Sequence, residues 1–226
     1  TGACLLALKD YEPSIEALTK AVQLDGSVPE AHALLGAAQS GRGNYSEAAK
    51  ELRAAIALKS DRAEWFSQLG EALNKQKDTK GAIEAYRQAQ ILDPKDVNSG
   101  YTLGYLLQNN GDLDEAASSF EHVVSLSPNF ANAHYNLGII KQKKGELDTA
   151  EHEFKQVLSI NPSDGQAMIN LGRTFILKND PGQAAGFYRQ GLSLEPNDPA
   201  AFEELAGALI KMKDLVGARS ALESAL

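Results

Sequence analysis

Cysteine is almost missing from this chain. Cys4 stands alone among 226 residues, so no internal disulfide can form. Basic residues are outnumbered, with 22 Lys plus Arg against 30 Asp plus Glu, for a formal net charge of −8 and a pI near 5.1. A protein that grips phosphates carries a basic stripe, so this balance argues against nucleic acid as a partner. No run of about 18 apolar residues occurs, which leaves no candidate for a membrane-spanning helix. The chain opens on Thr1, and no positively charged start leads into an apolar stretch, so no signal peptide is visible. With no sorting signal in view, the default expectation is an intracellular, cytoplasmic protein. Asn44-Tyr45-Ser46 has the spacing of a glycosylation acceptor but lacks that secretory context.

Catalytic constellations are missing as well. His152-Glu153 begins like a zinc-protease helix, but Gln156 stands where the second His is needed. One Cys and four scattered His give no metal-ligand spacing. Gly41-Arg42-Gly43 lacks the later Gly and the Lys of a phosphate loop. No Gly-x-Ser-x-Gly occurs. His32 and His134 share a repeat position with Phe66, Met168 and Phe202, which reads as core. Lys141, Lys143 and Lys144 are the densest basic cluster and close a helix, where cations favour the last carbonyls. The expectation is a chain that is not an enzyme and that needs no cofactor and no metal.

What the chain does contain is a strict repeat. Leu35-Gly36, Leu69-Gly70, Leu103-Gly104, Leu137-Gly138 and Leu171-Gly172 follow one another at 34-residue intervals. Twelve residues after each Gly stands Ala48, Ala82, Ala116, Ala150 or Ala184, and four further on Leu52, Tyr86, Phe120, Phe154 or Tyr188. Twenty-four after each Gly stands Ser60, Pro94, Pro128, Pro162 or Pro196. Within one period, His134, Leu137 and Ile140 make one helical stripe, and Ala150, Phe154, Val157 and Leu158 make a second. Gly43, Gly111 and Gly145, with Asn179, fall in the break between the two, where a left-handed residue ends a helix. All eight prolines fall at predicted helix edges. Each period is therefore a pair of helices. The mid-helix glycines cost about 1 kcal/mol each against Ala, which points to close approach of the paired helices.

These residues resemble the tetratricopeptide repeat: a large residue, Leu-Gly, a small residue in the second helix, an aromatic, and Pro, all within 34 positions. Ser60 and Gly26 in place of Pro, and Ala206 in place of Gly, are local departures. The resemblance implies an all-α, right-handed superhelical solenoid of antiparallel helix pairs over residues 1–226, with the first helices lining a concave groove. The register gives a partial repeat at 1–28, full repeats at 29–62, 63–96, 97–130, 131–164 and 165–198, and a partial repeat at 199–226. Because the register is cut within a repeat at each end, the expectation is a fragment of a longer chain, or apolar ends that a partner covers.

In the family geometry, the groove face of each first helix is the stripe opposite the one that meets the second helix. That stripe carries Glu64, Ser67, Gln68 and Glu71, then Asn98, Tyr101, Thr102, Tyr105 and Gln108. It continues with Asn132, Tyr135, Asn136 and Gln142, then Gln166, Asn170 and Arg173, and ends in Glu203 and Glu204. The centre is rich in amides and aromatics, and the ends are charged. An Asn amide both donates to and accepts from a peptide backbone, and Tyr offers large contact area. The candidate partner-binding residues are Tyr101, Thr102, Tyr105, Asn132, Tyr135, Asn136, Asn170 and Arg173. Asn136 and Asn170, one period apart, resemble a short form of the asparagine ladder in the repeats of O-linked GlcNAc transferases. The competing reading is that Tyr101 and Tyr135 pack between adjacent repeats and that the amides merely keep the surface soluble.

Family members that hold a chaperone's C-terminal carboxylate do so with Lys, Asn and Arg across three repeats. The window from the fourth repeat supplies Tyr101, Tyr105, Asn136, Gln166 and Asn170, with no cation, and neighbouring windows are no better. That function is rejected. Helical-hairpin RNA readers fit poorly, since their surfaces are basic. The expected function is a non-enzymatic scaffold that binds an extended peptide segment or a helix of a protein partner in the groove. The alternatives are the substrate-recruiting arm of a larger enzyme, such as a glycosyltransferase, or a scaffold that self-associates through its uncapped ends.

Overall fold

The computed structural model describes residues 2–226, and among them it contains fourteen α-helices and no strand. In order these are α1 (Gly2–Ala7), α2 (Tyr11–Leu24), α3 (Pro29–Arg42), α4 (Tyr45–Leu58), α5 (Ala63–Lys75), α6 (Thr79–Leu92) and α7 (Val97–Asn110). They continue with α8 (Leu113–Leu126), α9 (Ala131–Lys143), α10 (Leu147–Ile160), α11 (Gly165–Leu177), α12 (Pro181–Leu194), α13 (Pro199–Lys211) and α14 (Leu215–Ser224). First helices begin at Pro29, Ala63, Val97, Ala131, Gly165 and Pro199, and second helices at Tyr11, Tyr45, Thr79, Leu113, Leu147, Pro181 and Leu215, each series in steps of 34.

Local chemistry sets these boundaries. Asp78, Asp96, Asp164, Asp180, Asp198 and Asp214 stand just before helices, and each carboxylate accepts a first-turn backbone N–H. Each such cap is worth about 1 kcal/mol. Pro29, Pro181 and Pro199 open their helices, where the missing N–H costs nothing. Between the helices of a pair the chain turns through one left-handed residue: Gly43, Gly111 and Gly145, and also Lys9, Lys77, Asn179 and Lys213, at φ between 59° and 94°. The three glycines and Asn179 are the residues the sequence marks for this turn. The lysines hold the same register without a glycine's freedom.

The chain divides into two compact units, 1–119 and 120–226, with the boundary inside α8. The first unit contains the pairs α1/α2, α3/α4 and α5/α6, followed by α7 and the start of α8. Its interior includes Leu35, Leu52, Trp65, Leu73, Ile83 and Tyr86, all buried. The second unit holds the rest of α8 and the pairs α9/α10, α11/α12 and α13/α14. There Phe154, Ile169, Leu171, Tyr188 and Leu209 join one apolar cluster that runs on to Ala221.

In the pairs α3/α4, α5/α6, α9/α10 and α11/α12 the repeated Gly lies against the large residue sixteen positions on, Leu52, Tyr86, Phe154 or Tyr188. A Cβ added at Gly138 would lie 2.8 Å from the Phe154 ring, and one at Gly172 would lie 2.9 Å from Tyr188. Gly70, Gly138 and Gly172 each meet a ring, so close approach in those pairs depends on the aromatic as much as on the small Ala four positions before it. The two core histidines are also more specific than a generic apolar filler. His134, 7% exposed, has Nδ1 2.6 Å from Glu153 Oε2 and Nε2 2.9 Å from the Pro128 carbonyl.

Candidate concave binding face

In the first unit, α5 and α7 together wall a recess of about 350 Å³. Glu64, Ser67, Gln68 and Glu71 come from α5, and Asn98, Ser99 and Thr102 from α7, with Tyr86, Asp93 and Asp96 beneath. Ser67 Oγ and Ser99 Oγ lie 2.8 Å apart, and Ser99 Oγ donates to Asp96 Oδ2 at 2.5 Å, which ties the two helices together. No cation lines this recess. Tyr86 is affected: burial first, then the charges of Glu71 and Asp96, push its phenol up to about 12. Thr102 donates to the Asn98 carbonyl of its own helix at 2.9 Å. Tyr105 is 47% exposed, and Tyr101 is half-buried.

In the second unit the candidate residues are used unequally. Asn132 is exposed, Asn136 is half-buried, and the Asn136 amide donates to the Asn132 carbonyl at 2.9 Å. Asn170 is only 5% exposed. Its Nδ2 donates to the Tyr135 hydroxyl and to the Gln166 carbonyl, both at 2.9 Å, while its Oδ1 accepts from Arg173 Nη1 at 3.2 Å. Asn136 and Asn170 are thus one period apart in sequence but differently employed. Tyr135 is half-buried, edge-on to Phe154 with 5.9 Å between ring centroids. Asn170 and Tyr135 therefore brace α9 against α11. Gln142 adds to that brace by donating to the Thr174 hydroxyl at 2.9 Å and to the Asn170 carbonyl at 3.2 Å. Asn132 and Tyr135 also edge a recess of about 380 Å³ with Asp164 and Gln166.

Arg173 Nε donates to both oxygens of Glu204, at 3.0 and 2.8 Å, which binds α11 to α13. Glu204 also faces the buried Tyr188 phenol, whose ionisation is pushed far up by burial and then by that carboxylate. Beside this ion pair opens a cavity of about 460 Å³, lined also by Gln142, Ile176, Leu177, Gly207, Ala208 and Lys211. Sequence reasoning missed Ile176, Leu177, Gly207 and Lys211, which lie later in their helices than the amide-rich stripe. It also missed Asp93, Asp96 and the two tyrosines of the second helices, because a search of first helices alone does not reach them.

Two lysines of the basic cluster, Lys141 and Lys144, are engaged with carboxylates. Lys141 reaches Glu121 at 2.9 Å and Glu146 at 3.0 Å, and Lys144 reaches Glu146 at 3.4 Å. Among the described residues, no group of three or more His, Cys, Asp or Glu is disposed to hold a metal ion, and no helix is long and apolar enough to cross a membrane.

Family models described as tetratricopeptide repeat match residues 2–27, 34–97, 109–171 and 167–200. The chain belongs to the tetratricopeptide-repeat family. No curated protein matches the chain significantly. Among solved structures, the C-terminal part of a tetratricopeptide-repeat protein from Cytophaga hutchinsonii superposes with a TM-score of 0.81 at 20% identity, covering 100% of this chain and 93% of that one. YrrB, described as a tetratricopeptide-repeat protein with an unusual peptide-binding site, gives 0.77 at 21% identity over 84% of this chain and 97% of its own. MamA gives 0.68 at 23% identity over 70% of this chain and 92% of its own. At these identities the likeness is one of fold. The tetratricopeptide repeats here make an all-α array of helix pairs.

Proposed function

We propose that this tetratricopeptide-repeat chain is a non-enzymatic interaction scaffold that holds a peptide segment or helix of a partner protein against its first-helix faces. One observation carries the reading: polar first-helix side chains line open recesses of about 350 to 460 Å³ instead of packing into the core. Recesses of this size suit side chains of a ligand. The peptide-binding site named for YrrB, a structural relative, agrees with it. Arg173 and Asn170 serve as braces in this reading, and Tyr105 and Asn132 as contact groups.

The test compares wild type with the double variant Tyr105→Ala/Asn132→Ala in a quantitative pull-down, with helicity checked by circular dichroism. A protein retained by wild type and lost by the folded variant supports the reading. Equal recovery by both overturns it. Asn170→Ala is unsuitable here, since it removes the hydrogen bonds that brace Tyr135 and Gln166 and so confuses binding with folding.

A second reading has its own observation. On α14, Leu215 and Val216 are 68% and 84% exposed, an apolar surface that suits contact between copies. Sedimentation across a concentration range separates self-association from a monomeric binder.

A further inference from the structure

A helical glycine normally repays its cost through a close contact, and Gly207 has none. Gly36, Gly70, Gly138 and Gly172 each leave room for a side chain of the paired helix, within 2.9 Å of where a Cβ would lie. A Cβ at Gly207 would meet nothing within 4 Å, although the residue sits inside α13 and gives up about 1 kcal/mol of helix propensity against Ala. Gly186 in α12 is equally unopposed, so a bare glycine decides nothing by itself. Gly207 differs by forming part of a cavity wall, where any side chain would project into the space.

The rest of that wall states what the space accepts. Ile176 and Leu177 from α11 face it, and Leu177 is 57% exposed, an aliphatic surface that gains from being covered. At the rim, the Glu204 carboxylate is already satisfied by Arg173. Lys211 has no carboxylate partner among the described residues, so the uncommitted charge is a cation, in a chain whose net charge is −8. An apolar floor with one free ammonium at its edge complements an apolar group that has a carboxylate close by.

We propose that this cavity takes a large apolar side chain of a partner peptide, Leu or Phe in class, with an adjacent Asp or Glu paired to Lys211. The proposal rests on the peptide-holding function above and names the partner's chemistry.

The experiment selects a randomised 12-residue peptide library displayed on phage against wild type, Gly207→Leu and Lys211→Glu, with thermal melts to confirm folding. Because Gly207→Leu points into open space and Lys211 is exposed, both variants are expected to fold. Wild type should enrich a large apolar residue beside an acid. Lys211→Glu should keep the apolar preference and exchange the acid for Lys or Arg. Gly207→Leu should lose the apolar preference and bind the wild-type consensus peptide about tenfold more weakly or worse. If peptides are enriched but the three consensus sequences agree, the cavity proposal falls and the peptide-holding reading stands. If wild type enriches no peptide, both fall.

Discussion

Glu153 Oε2 approaches His134 Nδ1 to 2.6 Å from across the helix pair, and one hundred and two residues earlier Glu51 Oε2 makes the same 2.6 Å approach to His32 Nδ1. In each pair the other imidazole nitrogen faces a backbone carbonyl, of Pro128 or of Gly26. A carbonyl only accepts, so Nε2 carries a proton. At the same two repeat positions Phe66 stands with Ala85, and Phe202 with Ala221. The remaining repeats place Gly100 with Ser119 and Met168 with Phe187 there, so one place in the repeat accepts either a hydrogen-bonded pair or an uncharged combination.

That equivalence gives the first prediction. His134→Ala leaves Glu153, only 8% exposed, without its ring partner, and should cost about 3 to 5 kcal/mol. His134→Phe combined with Glu153→Ala copies the Phe66/Ala85 and Phe202/Ala221 combination and should recover most of that loss, because a well-packed apolar replacement of a buried pair is about neutral. Urea unfolding of the two variants decides it. A double variant as unstable as the single one would show that the two solutions are not interchangeable.

The left-handed turns give the second. Lys77 and Lys213 hold φ of 65° and 63° in the register where Gly43, Gly111 and Gly145 sit. Lys77→Gly and Lys213→Gly should each stabilise by about 1 kcal/mol by relieving the Cβ clash, offset in part by greater freedom of the unfolded chain. Thermal melts should move upward for both, and downward for Gly111→Lys.

The third contrasts two glycines. Gly138→Ala drives a methyl against the Phe154 ring, which is fully buried and has no room to retreat, so it should destabilise by about 1 to 3 kcal/mol. Gly186→Ala meets nothing within 4 Å and should stabilise by about 1 kcal/mol through helix propensity alone. Opposite signs from one chemical change would separate packing glycines from unopposed ones.

The fourth concerns alkaline pH. Tyr86 is held up to about 12 in the folded protein against an ordinary value of 10.0, chiefly by burial. Between those values the folded state binds more protons than the unfolded one, so stability falls as pH rises through the window. Tyr188 is shifted in the same direction and adds to the loss. Urea midpoints should therefore decline above about pH 10, and Tyr86→Phe should flatten part of the decline.

Much of this was legible beforehand. The positions of the helices follow from Leu-Gly spacing, proline placement and turn residues such as Gly111, because these are local effects read one residue at a time. Even the partner of His134 could have been found, since His32 with Glu51 repeats its nineteen-residue separation. The roles of the amides were not legible. Asn136 and Asn170 look alike in sequence, yet one lies half-open beside Asn132 and the other is enclosed by Tyr135, Gln166 and Arg173.

By itself, then, the sequence determined the repeat, its register and the all-α pairing of helices, since periodicity and backbone conformation are properties of neighbouring residues. The tertiary structure decided which polar groups are spent on bracing and which remain available. Arg173 is committed to Glu204, thirty-one residues away, while Lys211, one turn beyond the cavity's glycine, has no such partner among the described residues. Those outcomes depend on distances between helices, and burial makes a polar group take whatever partner the packing brings within reach.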